Sequence, residues 1–177
     1  IMKKTLRYLT LCALLPATPI QAGDFKVLQL EYIMPHEYPW VNVITTEADW
    51  GNFYYNELLP ANGINCLFPT ERPFEQDNPC LTGPPDVNFK TSQVIVGGLG
   101  LKPSSGFQAM VADVDTTQPA DLVVNIIDGA PSDECILLPV ISLEMMTLVV
   151  EKSDKPVKVN VQNATLHCET DGALSNY

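Results

Sequence analysis

An antiparallel β-sandwich of about seven to nine short strands is the fold this sequence predicts. Short runs rich in β-branched and aromatic residues recur with apolar–polar alternation, and Gly, Pro and Asp turn residues separate them. No stretch carries helical periodicity over a convincing length. The most apolar run, CILLPVISLEMMTLVV at 135–150, supplies the centre. Its 16 residues are broken by Pro139 and charged at Glu144. They fall short of the roughly 20 that a membrane-crossing helix needs. The run reads as two consecutive central strands, 135–141 and 143–150, with Pro139 at a bulge or edge because it has no N–H for a ladder.

The chain opens with Lys3, Lys4 and Arg7, then an apolar stretch at 8–15, then Pro16 and Pro19, and a small residue at Ala22. That is the layout of a bacterial secretory signal peptide over 1–22. Ile1, standing before Met2, is set aside. Cys12 follows Leu11 rather than a small residue, so it belongs to the leader and not to a lipid anchor. Residues 23–177 form one domain, long enough to bury a core. Loss of three cations and no anion takes the net charge from −11 to −14. Such acidity disfavours nucleic acid and anionic lipid as partners. It favours solubility, cations or a basic protein.

Cys66, Cys80, Cys135 and Cys168 are then left, an even number in an exported chain and without CxxC spacing. They read as two structural disulfides rather than a zinc or redox site. Of three connectivities, Cys66–Cys80 and Cys135–Cys168 are expected, the second joining the central strand to the C-terminal one.

In chain order, residues 25–34 alternate, with Leu28, Leu30, Tyr32 and Met34 on one face, and predict a half-buried strand. Pro35 and Pro39 end it, and 41–46 is a second strand. Residues 49–59 (DWGNFYYNELL) fit either a strand or a short helix stopping before Pro60. The stretch 60–90 holds six prolines and two cysteines and reads as a long excursion pinned by Cys66–Cys80. Strands resume at 91–96, 107–114 and 122–127. Gly97–Gly100 and Asp128-Gly129 read as turns between them. After the central pair, Val157, Val159 and Val161 alternate with polar residues in a last strand, before a polar tail at 169–177.

Candidate chemistry is sparse. His36 and His167, the two histidines, lie far apart, and no G-x-S-x-G is present. GGLGLKPSS at 97–105 lacks the glycine that a phosphate-cradling loop places before its lysine, so it reads as a hairpin loop. Asp113 and Asp115 offer oxygen ligands two residues apart for Ca2+, against the reading of solvated turn carboxylates. Pairs such as Glu37 with Glu57, or Asp128 with Asp133, carry no weight as glycosidase acids among 21 acidic residues. Asn163-Ala164-Thr165 matches a glycosylation sequon and is taken as chance.

Seven aromatics fall between 32 and 55, and Tyr38, Trp40, Trp50, Tyr54 and Tyr55 are the candidates for a ligand or partner surface. The blander reading packs them in the core. The function expected is an exported, non-catalytic structural or interaction protein, periplasmic or at the cell surface, in a pilus- or adhesin-like assembly. Its partner would be another envelope protein or a second copy. The alternative is a secreted carbohydrate-binding module using 38–55, with a saccharide stacked on flat rings, and behind it a metal-assisted hydrolase.

Overall fold

The computed structural model describes residues 24–66 and 78–168. The leader expected over 1–22, the middle of the proline-rich excursion and the polar tail lie outside the described residues. Seven strands are found among them: β1 (Phe25–Val27), β2 (Trp40–Ile44), β3 (Ser92–Lys102), β4 (Gln108–Asp115), β5 (Leu122–Pro131), β6 (Ser142–Glu151) and β7 (Val157–Leu166). They form a four-stranded sheet, β1-β6-β3-β2, and a three-stranded sheet, β4-β5-β7. The class is all-β with few helices. Pairing is antiparallel except between β5 and β7, which run parallel from Leu122↔Val157 to Pro131↔Leu166. The parallel pair departs from the all-antiparallel expectation. The chain leaves β5, crosses to the other sheet as β6, and returns as β7.

β3 and β6 are covered on both faces, which sets the layering. On one face, Val94 and Val96 meet Ile44, Trp50, Phe53, Tyr54, Leu58 and Leu59. On the other, Ile95, Leu148 and Val150 meet Val114, Leu122, Val124 and Ile126 of the smaller sheet. The larger sheet is therefore covered by helix on one side and by strands on the other.

That helical cover resolves the ambiguity of 49–59. Helix α1 (Glu47–Asn52) continues through a π-helical turn, Phe53–Leu58, into α2 (Leu59–Ala61). Thr46 caps the start, its Oγ1 accepting from the Asp49 N–H at 3.1 Å, with Glu47 and Asp49 in the first turn where the helix dipole favours anions. Trp50, Phe53, Tyr54 and Leu58 then share one face. Pro60 explains the widened turn. In regular α geometry its ring would crowd the carbonyl four residues back, and the π turn relieves this.

Other expectations change. Residues 135–141 form no strand; Ile136, Leu138 and Ile141 stand 83%, 63% and 70% exposed. Pro139 spoils the ladder, and Leu138 instead exchanges hydrogen bonds with Ser105. The disulfide thus ties this arm, not a central strand, to the end of β7. The second half of the apolar run does lie inside its sheet, as β6. The strand expected over 25–34 stops at Val27, although Leu28, Leu30, Tyr32 and Met34 still pack on the helical side. Gly97–Gly100 lies within β3, where the register shifts between Gly98 and Leu101, and the turn falls at 103–106. Gly100 adopts φ +80 there, hard against the Glu37 carbonyl oxygen. Asp128-Gly129 is inside β5, with the Leu166 side chain over Gly129 in place of a Cβ.

Both disulfides are present, Cys66–Cys80 and Cys135–Cys168, each with Cα atoms 5.4 Å apart. Beside the first, α3 (Pro79–Thr82) is capped by Asn78. Val87 and Phe89 reach the helical core, so the end of the excursion packs rather than wandering. No helix among the described residues is long and apolar enough to cross a membrane.

Candidate functional site

Among the described residues β2 and β7 each have one strand neighbour, so each presents there one row of backbone N–H and C=O groups outside any ladder. Between these two edges lies a slot of about 360 Å3. Trp40 and Val41 of β2 form one wall, Val159 and Val161 of β7 the other, and Met146 and Ile126 belong to its floor. The volume is within the roughly 300–1,000 Å3 of pockets that enclose a small ligand.

The sequence shapes the slot through two absences. Gly97 and Gly98 put no side chain on β3. A Cβ at Gly97 would come within 2.7 Å of the Trp40 carbonyl oxygen, and one at Gly98 within 2.9 Å of the indole Nε1. The Trp40 ring therefore lies against bare backbone at Gly98, on the side that packs with the helical layer, and the His36 ring stands 4.8 Å from it. Strand alternation turns Val41 and Val43 away from the helical layer, yet they remain 46% and 38% exposed. On β7, Val157 and Val159 pack inward while Val161 is 49% exposed. Both walls thus carry uncovered valine on the faces that a closed core would bury.

The aromatic candidates divide. Trp50 and Tyr54 are in the core, 2% and 5% exposed, and the Trp50 indole donates to the Pro85 carbonyl at 3.0 Å. Burial, more than the nearby Tyr32, Tyr55 and Glu31, pushes the Tyr54 phenol above its ordinary pKa. These two rings build the fold instead of a sugar platform, because helical spacing turns them inward. Tyr55 packs beside them at half burial, edge-on to Tyr54. Tyr38 stands 71% exposed, and Trp40 alone of the five lines the slot.

Asp113 and Asp115 end β4, and each is engaged within the protein. Asp113 accepts from the Asn125 amide, and Asp115 accepts from Thr117 and Gln118. The Thr117 hydroxyl bond, ahead of Gln118, the Thr117 N–H and Lys155, holds the Asp115 carboxyl below the usual range despite desolvation. Among the described residues no group of three or more His, Cys, Asp or Glu side chains is placed to hold a metal ion.

A polar cluster missed by sequence reading lies where β3, β4, β5 and β6 meet. Lys102 Nζ donates to Asp128 Oδ2 at 2.6 Å, beneath the Phe107 ring. Asp128 Oδ1 is buried without a partner. Glu144 is pushed above its ordinary pKa by burial, against the Ala109 N–H and Lys102, with Asp128 adding to the rise. The cluster joins the two sheets, with Lys102 on β3 and Asp128 on β5. It became visible only once Asp128 was known to sit inside a strand.

Comparison with protein-family models, with curated proteins and with solved structures finds no match to this chain.

Proposed function

We propose that the chain is an exported, non-catalytic interaction protein, a subunit of an envelope or cell-surface assembly of the pilus or adhesin kind. In this reading the two sheets are a β-sandwich left open along one side, and the slot between β2 and β7 receives an extended apolar segment of a protein partner. The slot carries the reading, because Val41 and Val161 line a cavity between two strand edges that have no further neighbour among the described residues, and Val43 is left exposed on the same strand as Val41. A segment laid there buries alternate side chains against those valines, while its backbone has free edge groups within its layer, the physics of strand addition. The leader-like N-terminus and the two disulfides fit an oxidising compartment.

Mild cross-linking of the intact envelope fraction, followed by native mass and identification of every linked chain, tests the proposal. A ladder of copies or a fixed heteromer linked through β2 or β7 is expected. A lone soluble monomer under those conditions would overturn it.

A further inference from the structure

We infer that the occupant of the slot is the apolar arm at 135–141 of a second copy of this chain. The inference rests on the assembly reading above and names its partner. The arm bears no charge and offers Ile136, Leu138, Val140 and Ile141 to solvent at 50–83% exposure. An uncharged projection of this kind is not a slack loop. Ser105 bonds both the N–H and the carbonyl of Leu138, Ser142 Oγ donates to the Ser104 carbonyl, and Cys135 is joined to Cys168. The side chains are thus held out in advance, which lowers the ordering cost of docking.

The arm does not serve its own slot. It is fastened where β5 ends, beside Pro131, Leu166 and Gly106, whereas the slot is lined by mid-strand residues such as Ile126 and Val159. Five residues of strand separate Ile126 from Pro131, about 16 Å. One chain therefore carries an apolar projection and an apolar recess at different places, and pairing them between copies is head-to-tail, leading to a ring or an open filament.

Charge selects the same pair of surfaces. Copies of net charge −11 repel wherever their acidic faces meet. The slot lining and residues 135–143 carry no charge. At their margins the signs are opposite. Asp133 and Glu134 are exposed at the root of the arm, and Lys158 is exposed on β7 next to Val159. The one ion pair among the described residues, Lys102–Asp128, uses none of the three.

Sedimentation velocity of the oxidised full chain over a concentration series tests the inference with Leu138→Asp in the arm and Val161→Asp in the slot. Both positions are exposed, and far-UV spectra check that the fold is kept; Ile136→Ser is a milder arm variant. The wild type is expected to associate with rising concentration, and each aspartate variant to weaken this about tenfold or more. An equimolar mixture of the two aspartate variants should stop at dimers, since it retains one intact arm and one intact slot per pair. A wild type that stays monomeric, variants that associate like the wild type, or a mixture that does not pair would overturn the inference. A monomeric wild type that still enters a fixed heteromer in the envelope refutes the second-copy occupant alone; a monomer with no partner there refutes the assembly reading too.

Discussion

Glu144 sits where its charge is least welcome, and Asp115 where its charge is best supported. Burial holds the Glu144 pKa above its ordinary 4.5. Below that value both folded and unfolded chains carry the proton. As pH rises toward the raised folded value, the folded state binds more protons than the unfolded one, and stability falls. Glu144→Gln should therefore raise the melting temperature at neutral pH and flatten that fall, as read by thermal melts across a pH series. Asp115 behaves oppositely. Hydrogen bonds from Thr117 and Gln118 hold it below its ordinary 3.8, so its contribution is present above that pH and lost as pH falls through the lowered value. Asp115→Ala should lower the melting temperature at neutral pH and make little difference in strong acid. Glycine positions give a third test at this scale. A Cβ at Gly97 meets backbone oxygen, whereas one at Gly129 meets the Leu166 side chain, which can turn aside. Gly97→Ala should cost about 1–3 kcal/mol in chemical denaturation, and Gly129→Ala less. Neither glycine's role was legible in the sequence, where both had the look of turn residues. Dipeptide signals report local preference, and here a neighbouring strand or a leucine side chain overrules them.

At the scale of elements, β6 and β7 could be read directly, because strand alternation and an apolar run survive any choice of partners. The helical layer was half legible. Thr46 followed by Asp49, and Trp50, Phe53, Tyr54 and Leu58 at helical spacing, are a cap and a face in plain sight. Four β-promoting aromatics and Gly51 obscured them. Thr46→Ala should cost about 0.5–2 kcal/mol by equilibrium denaturation, since the cap feeds the layer that covers β3. The 135–141 arm was misread for a different reason. An apolar run of that length suits a buried strand or an exposed docking element equally well, and only the partner decides. The cysteine pairing was legible because the short spacing of Cys66 and Cys80 left one partner for each of the others. Replacing Cys135 and Cys168 together by serine should cost about 2–4 kcal/mol and release the arm from β7.

At the scale of the molecule, the two-sheet class followed from many short strands and frequent turns, but the slot did not. It depends on sheet order, on β5 and β7 running parallel, and on two glycines of β3 set against Trp40 and Val41 of β2, all products of pairing between residues distant in the chain. The same long-range order distinguishes Trp40 from Trp50: both pack on the helical side, but Trp40 also borders the slot while Trp50 is enclosed in the core. The acidic surface, the uncharged slot and the uncharged arm make a single pattern, in which the places free of repulsion are also the places free of cover. Amide hydrogen exchange, comparing the protein in the proposed envelope assembly with the dilute purified chain, is the most direct test. Added protection in β2 and β7 is expected on assembly, with the helical layer 47–61 unchanged. Equal exchange at those two strands in both states would contradict it.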